Sequence, residues 1–242
     1  MTTPFPSASV CIGDLNTSAR SQFRRSFRAS AALLVVALLL GGCTTLLQDD
    51  FEADTVGALP LAQPDGAPND LLEAAPGPGE IVVVDSLPIT GEQSLRLRGP
   101  SGESTPAVIL HAEPIPNADV NEPVYVFWQL RLSSGARARV EIVIDFEHLV
   151  LRVDMEDGLI FINGNSIGHY TQGAVQRFQV GLRPDTDTYN LTVSGGTDVR
   201  GTVSGALSEA DAFPGNHVAV VFRLPNAEGA QDLWIDSVYV SQ

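Results

Sequence analysis

The sequence predicts an all-β sandwich or barrel, and three observations carry that expectation. Short runs rich in Val, Ile, Leu, Phe and Tyr recur from Glu80 to the C-terminus, and Gly, Asn, Asp and Pro separate them. Side chains alternate within the runs. Val124, Val126, Trp128, Leu130 and Leu132 share one face, while Gln129 and Arg131 take the other. Only Ser208–Phe213, where Ser208 and Asp211 form an S-x-x-D cap, reads as a helical turn.

The chain opens on a segment with a different purpose. Arg20, Arg24, Arg25 and Arg28 precede the apolar run Ala31–Leu40, and Leu40-Gly41-Gly42-Cys43 closes it. This order of basic, apolar and small residues is a secretory signal. The apolar run is far shorter than the roughly 20 residues a spanning helix needs. Its ending resembles the bacterial lipobox. The resemblance implies cleavage between Gly42 and Cys43, a diacylglyceryl thioether on Cys43, and stable membrane attachment through two or more acyl chains. Thr44, in place of Asp, favours the outer membrane of the cell envelope. Residues 1–42 are then a signal peptide, 43–48 a lipidated tether and 49–242 one domain.

Composition narrows the partners. The 242 residues carry a formal net charge of −15, and loss of residues 1–42 removes four Arg and one Asp, leaving −18. Such a surface repels nucleic acid and anionic headgroups, so nucleic acid is not an expected partner. The two cysteines are Cys11 and Cys43, so the domain has no disulfide and depends on its core. About 200 residues suffice for one such core.

Taken in order, the expected strands are Ile81–Val84, Ser94–Arg98, Ala107–His111, Val124–Leu132, Ala138–Phe146, Leu149–Val153 and Leu159–Ile162. Gln176–Leu182, Asp187–Val193, Val199–Val203, His217–Phe222 and Leu233–Val240 follow. Ala58–Gly79, rich in Pro, Gly and Ala, reads as a long surface loop. Four short motifs carry a family resemblance. They are Asp50-Phe51-Glu52 with Gly57 and Pro60; Gly91-Glu92-Gln93-Ser94-Leu95-Arg96-Leu97; Asp185-Thr186-Asp187-Thr188-Tyr189-Asn190-Leu191; and Trp234-Ile235-Asp236-Ser237-Val238. In this order they resemble the concanavalin A-like lectin/glucanase jelly rolls, although the Gly-Trp that usually follows the opening Pro is missing. The resemblance implies an antiparallel jelly-roll β-sandwich whose first and last strands lie side by side. It also implies a possible structural calcium there, held by Asp50, Glu52 and Asp236, since hard carboxylate oxygens suit that ion.

Several constellations bear on chemistry. Glu141, Asp145 and Glu147 share strand parity, and a glycosidase needs two carboxylates about 5–9.5 Å apart. Their i, i+4, i+6 spacing departs from the laminarinase pattern, and Arg137 and Arg139 continue the same face. Gly164-Asn165-Ser166-Ile167-Gly168 matches a nucleophile elbow, but no helix follows, so a hairpin at Asn163-Gly164 explains it better. His111, His148, His169 and His217 lack zinc-site spacing. Tyr125, Phe127 and Tyr170 are the candidate sugar-stacking aromatics. The resulting expectation is a lipid-anchored envelope protein, with no catalytic residues, that binds a glycan or an envelope protein. A glycoside hydrolase or polysaccharide lyase using the acidic face is the alternative, and a scaffold without a small ligand is the third reading.

Overall fold

Alternating apolar side chains produce two antiparallel sheets whose inner faces meet. The computed structural model describes residues 45–60, 71–75, 79–99, 106–112, 122–145, 147–208, 217–225 and 231–242, with backbone only for 71–75. The signal segment, Cys43, Phe146 and the expected turn after Ser208 lie outside them. Among the described residues there is no helix.

The first sheet runs β13 (Thr202–Ala206), β12 (Thr188–Gly195), β11 (Val175–Arg183), β6 (Val124–Leu132), β15 (Gln231–Ser241), β4 (Ser94–Gly99), β3 (Glu80–Val84). β1 (Thr45–Asp49) also pairs with β15. The second runs β10 (Asn165–His169), β9 (Leu159–Ile162), β8 (His148–Glu156), β7 (Ala138–Ile144), β14 (Val218–Arg223), β5 (Ala107–His111), β2 (Leu71–Ala75). This is the antiparallel jelly-roll sandwich the motifs predict, with the first and last strands adjacent. Trp128 of β6 stacks on Phe178 of β11, ring centroids 5.0 Å apart, and meets Phe222 of β14 edge-on at 6.5 Å. That contact ties the two layers together. Offset and edge-to-face rings add about 0.5–1.5 kcal/mol per pair beyond their buried area.

Three local features correct the sequence reading. Residues 45–48 are not a tether, because Leu46 and Leu47 are buried and extend the first sheet as β1. The strand expected at Val199–Val203 begins only at Thr202, and β10 occupies what looked like the far side of a turn. The hairpin itself is as expected, with Asn163 and Gly164 both at positive φ.

The third feature is a bulge in β15. Its first half pairs with β4 and its last residues with β1, and the register shifts between Asp236 and Tyr239, where Ser237 sits at φ 51°. A bulge reverses which face later residues take. Val238 and Val240 therefore enter the core, whereas Trp234 and Asp236 lie on the outer face beneath residues 85–93. There Trp234 packs with Val82, Val84 and Ile89.

Candidate active site

The middle of the second sheet presents its chemistry outward. On β7, Val140, Ile142 and Ile144 enter the core, which leaves Arg139, Glu141 and Val143 on the outer face. A bulge in β8 sends both Val150 and Leu151 inward, so Arg152 and Asp154 return to the outer face in register with β7. On β14, Phe222 fills the core and Arg223 points out.

Register brings these residues together. Glu141 stands opposite Arg152, and Arg139 lies between Asp154 on one side and Arg223 on the other. Arg139 Nε and Arg152 Nε donate to the two oxygens of Asp154 at 2.8 and 2.6 Å, and Arg223 Nε donates to Glu141 Oε2 at 2.9 Å. The carboxylates are the sheltered members, with 13% and 15% side-chain exposure for Asp154 and Glu141, against 31–38% for the three arginines. Phe161 of β9, half-buried, stands opposite Asp154.

One pair in the group works against the sheet, although Arg139–Asp154 and Glu141–Arg152 support it. Arg139 directly opposite Arg223 is a like-charge cross-strand pair, which is destabilising. A guanidinium also carries five donors. Among the described residues no hydrogen bond engages the Nη atoms of Arg139, Arg152 or Arg223. Such a planar fork matches a carboxylate in a bidentate manner. The face can therefore grip anionic groups, with two carboxylates among the cations to orient them.

A second cluster lies at the other end of this face. His111 and His217 have ring centroids 5.3 Å apart, and Asp145 Oδ1 accepts the backbone N–H of His217 at 3.0 Å. Burial, and after it the neighbouring His111, pull the His217 pKa below the usual imidazole range, with Asp145 opposing. His217 precedes Arg223 by six residues, roughly 20 Å along a strand, so the two clusters cannot touch one sugar together.

The structure redistributes the residues singled out by sequence. Asp145 (φ 49°) and Glu147 belong to the tight β7–β8 turn, which leaves Glu141 alone of the acidic row on the strand face. Tyr170 is a core residue at 6% exposure, not a sugar platform, and burial pushes its phenol pKa up. Tyr125 and Phe127 are half-buried on the outer face of the first sheet. Ser166 sits on a β-hairpin strand and forms no nucleophile elbow.

The structure does not gather Asp50, Glu52 and Asp236 into one group. Among the described residues no group of three or more His, Cys, Asp or Glu is arranged to hold a metal. Asp50 instead serves its own turn, whereas Glu52 and Asp236 both hold residues 90–94. Asp50 Oδ1 accepts from Glu52 N at 3.2 Å, and Glu52 Oε1 accepts from Glu92 N and Gln93 N at 2.8 and 3.1 Å. Asp236 is fully buried and accepts from Thr90, Ser94 and Ser237. Glu52 thus joins the first motif to the second, because Gly91, at φ 60°, leaves room for its carboxylate.

No family model and no curated protein matches the chain. Solved structures similar to it include a sialidase (13% identity, TM-score 0.53), covering 83% of this chain, which spans only 19% of the sialidase. A carbohydrate esterase of a Shiga toxin-encoding bacteriophage is similar at 15% identity and TM-score 0.54, over 83% of this chain and 99% of that one. An endo-β-1,4-glucuronan lyase from the fungus Trichoderma reesei is similar at 10% identity and TM-score 0.53, over 82% and 96%. The fold is a concanavalin A-like jelly roll. The expectation of a non-catalytic domain finds no support in these neighbours, which include an esterase and a lyase that the chain spans almost completely.

Proposed function

We propose that the chain is a carbohydrate-active enzyme that binds a uronate-containing polysaccharide across the outer face of the second sheet and cleaves it by β-elimination. The observation that carries this reading is the set of three half-exposed arginines on one face of a strongly acidic chain, with Nη donors free of hydrogen bonds among the described residues. The similar glucuronan lyase supports the same substrate class. Arg139, Arg152 and Arg223 would neutralise the uronate carboxylate, which acidifies the proton on the adjacent ring carbon. Glu141, sheltered beside them, is the candidate acceptor of that proton. The electron pair forms the ring double bond, the glycosidic C–O bond breaks, and the departing oxygen takes a proton.

Hydrolysis is the second reading. Glu141 and Asp154 occupy diagonal positions on neighbouring strands, roughly 7–8 Å apart, a separation that suits an inverting glycosidase. One assay separates the two. Polyglucuronate, polygalacturonate and alginate are each incubated with the protein, and both new reducing ends and ultraviolet absorbance of an unsaturated product are followed. Both signals support elimination; reducing ends alone support hydrolysis. Arg223→Ala should lower kcat/KM on the acidic polymer at least about ten-fold. No turnover of any of the three would refute the proposal.

The lipobox supports attachment at Cys43 to the outer membrane, with β1 starting two residues later at Thr45. Labelled palmitate should enter the wild type and not Cys43→Ser. Equal labelling of both would remove the anchor from the account.

A further inference from the structure

The opposite face of the sandwich carries an arrangement that the arginine site does not use. On the first sheet, Phe127 of β6 stands opposite Tyr239 of β15 and opposite Gln179 of β11. In the next row Tyr125 stands opposite Gly181, which in turn faces Asn190 of β12. The three aromatic side chains point away from the core, because Val124, Val126, Trp128, Val238 and Val240 take the inner positions. All three are half-buried, and the outer strands beside them, β12 and β13, present exposed hydroxyls.

Gly181 has no turn to make; it lies inside β11. Glycine within a strand lacks a side chain to pack and often marks a close approach. Here a Cβ would meet the Tyr125 ring at 3.3 Å, so the ring lies against the bare backbone. Tyr239 is fixed at its far end by a 3.0 Å hydrogen bond between its hydroxyl and Thr45 Oγ1. Both anchored rings therefore lose little freedom when something stacks on them.

Charge selects the occupant. The two register rows through Phe127 and Tyr125, followed from β1 across β15, β6, β11 and β12 to β13, contain no Asp, Glu, Arg, Lys or His. In a chain of net charge −15 that is a neutral island. Within the two rows there is no cation for a phosphate, a uronate or a nucleic acid, although Arg177 and Arg183 border them on the same face of β11. A hydrocarbon surface fits poorly as well, since Gln179 and Asn190 would lose water without gaining partners. Rings flanked by amides and hydroxyls match a neutral pyranose chain, with its apolar ring faces and dense equatorial hydroxyls.

We propose that this face is a second polysaccharide-binding surface, selective for uncharged glycans, on the side of the sandwich opposite the arginine cluster. It does not depend on the reading of that cluster. A chain inactive on every uronate would still bind here.

The test is affinity electrophoresis of the full-length protein in gels containing hydroxyethyl cellulose or laminarin, with polygalacturonate as the charged comparison. The wild type should be retarded by at least one neutral glycan. Phe127→Ala and Tyr239→Ala should each weaken that retardation on the order of ten-fold, as truncation of an aromatic anchor does. Gln179→Ala, which removes no core contact, should weaken it as well, so a folding defect in the ring variants does not leave the idea untested. Arg223→Ala should keep neutral retention. Absence of retardation by both neutral glycans would overturn the proposal. So would equal retardation of wild type and all three variants.

Discussion

Replacing Asp236 by Ala should unlock residues 85–93 from the first sheet. In the wild type Asp236 Oδ2 accepts from Thr90 N and Thr90 Oγ1, both at 2.8 Å, and from Ser94 Oγ at 3.3 Å, while Oδ1 accepts from Ser237 Oγ at 3.2 Å. Thr90 is exposed and Ser237 half-buried, so these donors can turn to water; Ser94 is fully buried and cannot. One stranded buried donor costs about 1–3 kcal/mol, and lost hydrogen bonds to a charged group cost about 1.5–3 kcal/mol each before desolvation relief is subtracted. A net loss of about 2–3 kcal/mol follows. At about 2–4 °C per kcal/mol for a domain of this size, Tm should fall by roughly 4–12 °C.

The sign of the pH dependence follows from burial. Burial raises the Asp236 pKa, more than the Thr90 and Ser237 hydrogen bonds lower it. The folded state therefore holds a proton that the unfolded chain has already released. This contribution is complete below the unfolded value, near pH 3.9, and is lost as pH rises through the folded value. Asp236→Asn has no such term. Thermal melts from acid to neutral pH should show the wild-type advantage over Asp236→Asn shrinking as pH rises. A constant difference, or a drop of under 2 °C in Asp236→Ala, would refute the reasoning.

Other substitutions probe the frame. Trp128→Ala removes the ring joining Phe178 and Phe222, and should cost about 3–5 kcal/mol in urea unfolding. Gly91→Ala forces a side chain into a left-handed backbone and displaces the Glu52 carboxylate, at about 1–3 kcal/mol. In a Glu52→Ala background the same change should cost measurably less, which a double-mutant cycle reads directly. Binding of acidic polymers should weaken as salt rises from 50 to 200 mM, because exposed guanidiniums are screened, whereas binding of neutral glycans should not.

The fold was legible where one face is buried and the other is not. β6 and β7 alternate cleanly, and both appear close to their expected bounds. Legibility failed where the backbone breaks period. The bulge at Asp236–Ser237 puts Val238 and Val240 on the face opposite Asp236 although they share its parity, and the positive φ of Asp145 removes it from the Glu141 face. β1 was obscured because Leu46 and Leu47 closely follow Cys43 and read as part of the lipidated tether.

The candidate site was less visible. Arg139, Arg152 and Arg223 lie on three strands, and Arg223 is 82 residues from its partner Glu141. Strand register alone assembles them. Arg139 was noted only as continuing the face of the acidic row, and Arg152 and Arg223 carried no local motif. On the other face, Tyr125 and Phe127 could be found from strand parity, but Tyr239 lies beyond the bulge that scrambles it.

The most direct test of the arginine face is an NMR titration of the guanidinium Nε–Hε signals with a glucuronate oligosaccharide. Arg139, Arg152 and Arg223 should shift together and saturably, while Arg96 and Arg98, paired with Glu80 and Asp232 on the first sheet, stay in place. Unmoved signals from all three, or shifts confined to Arg96 and Arg98, would contradict the account.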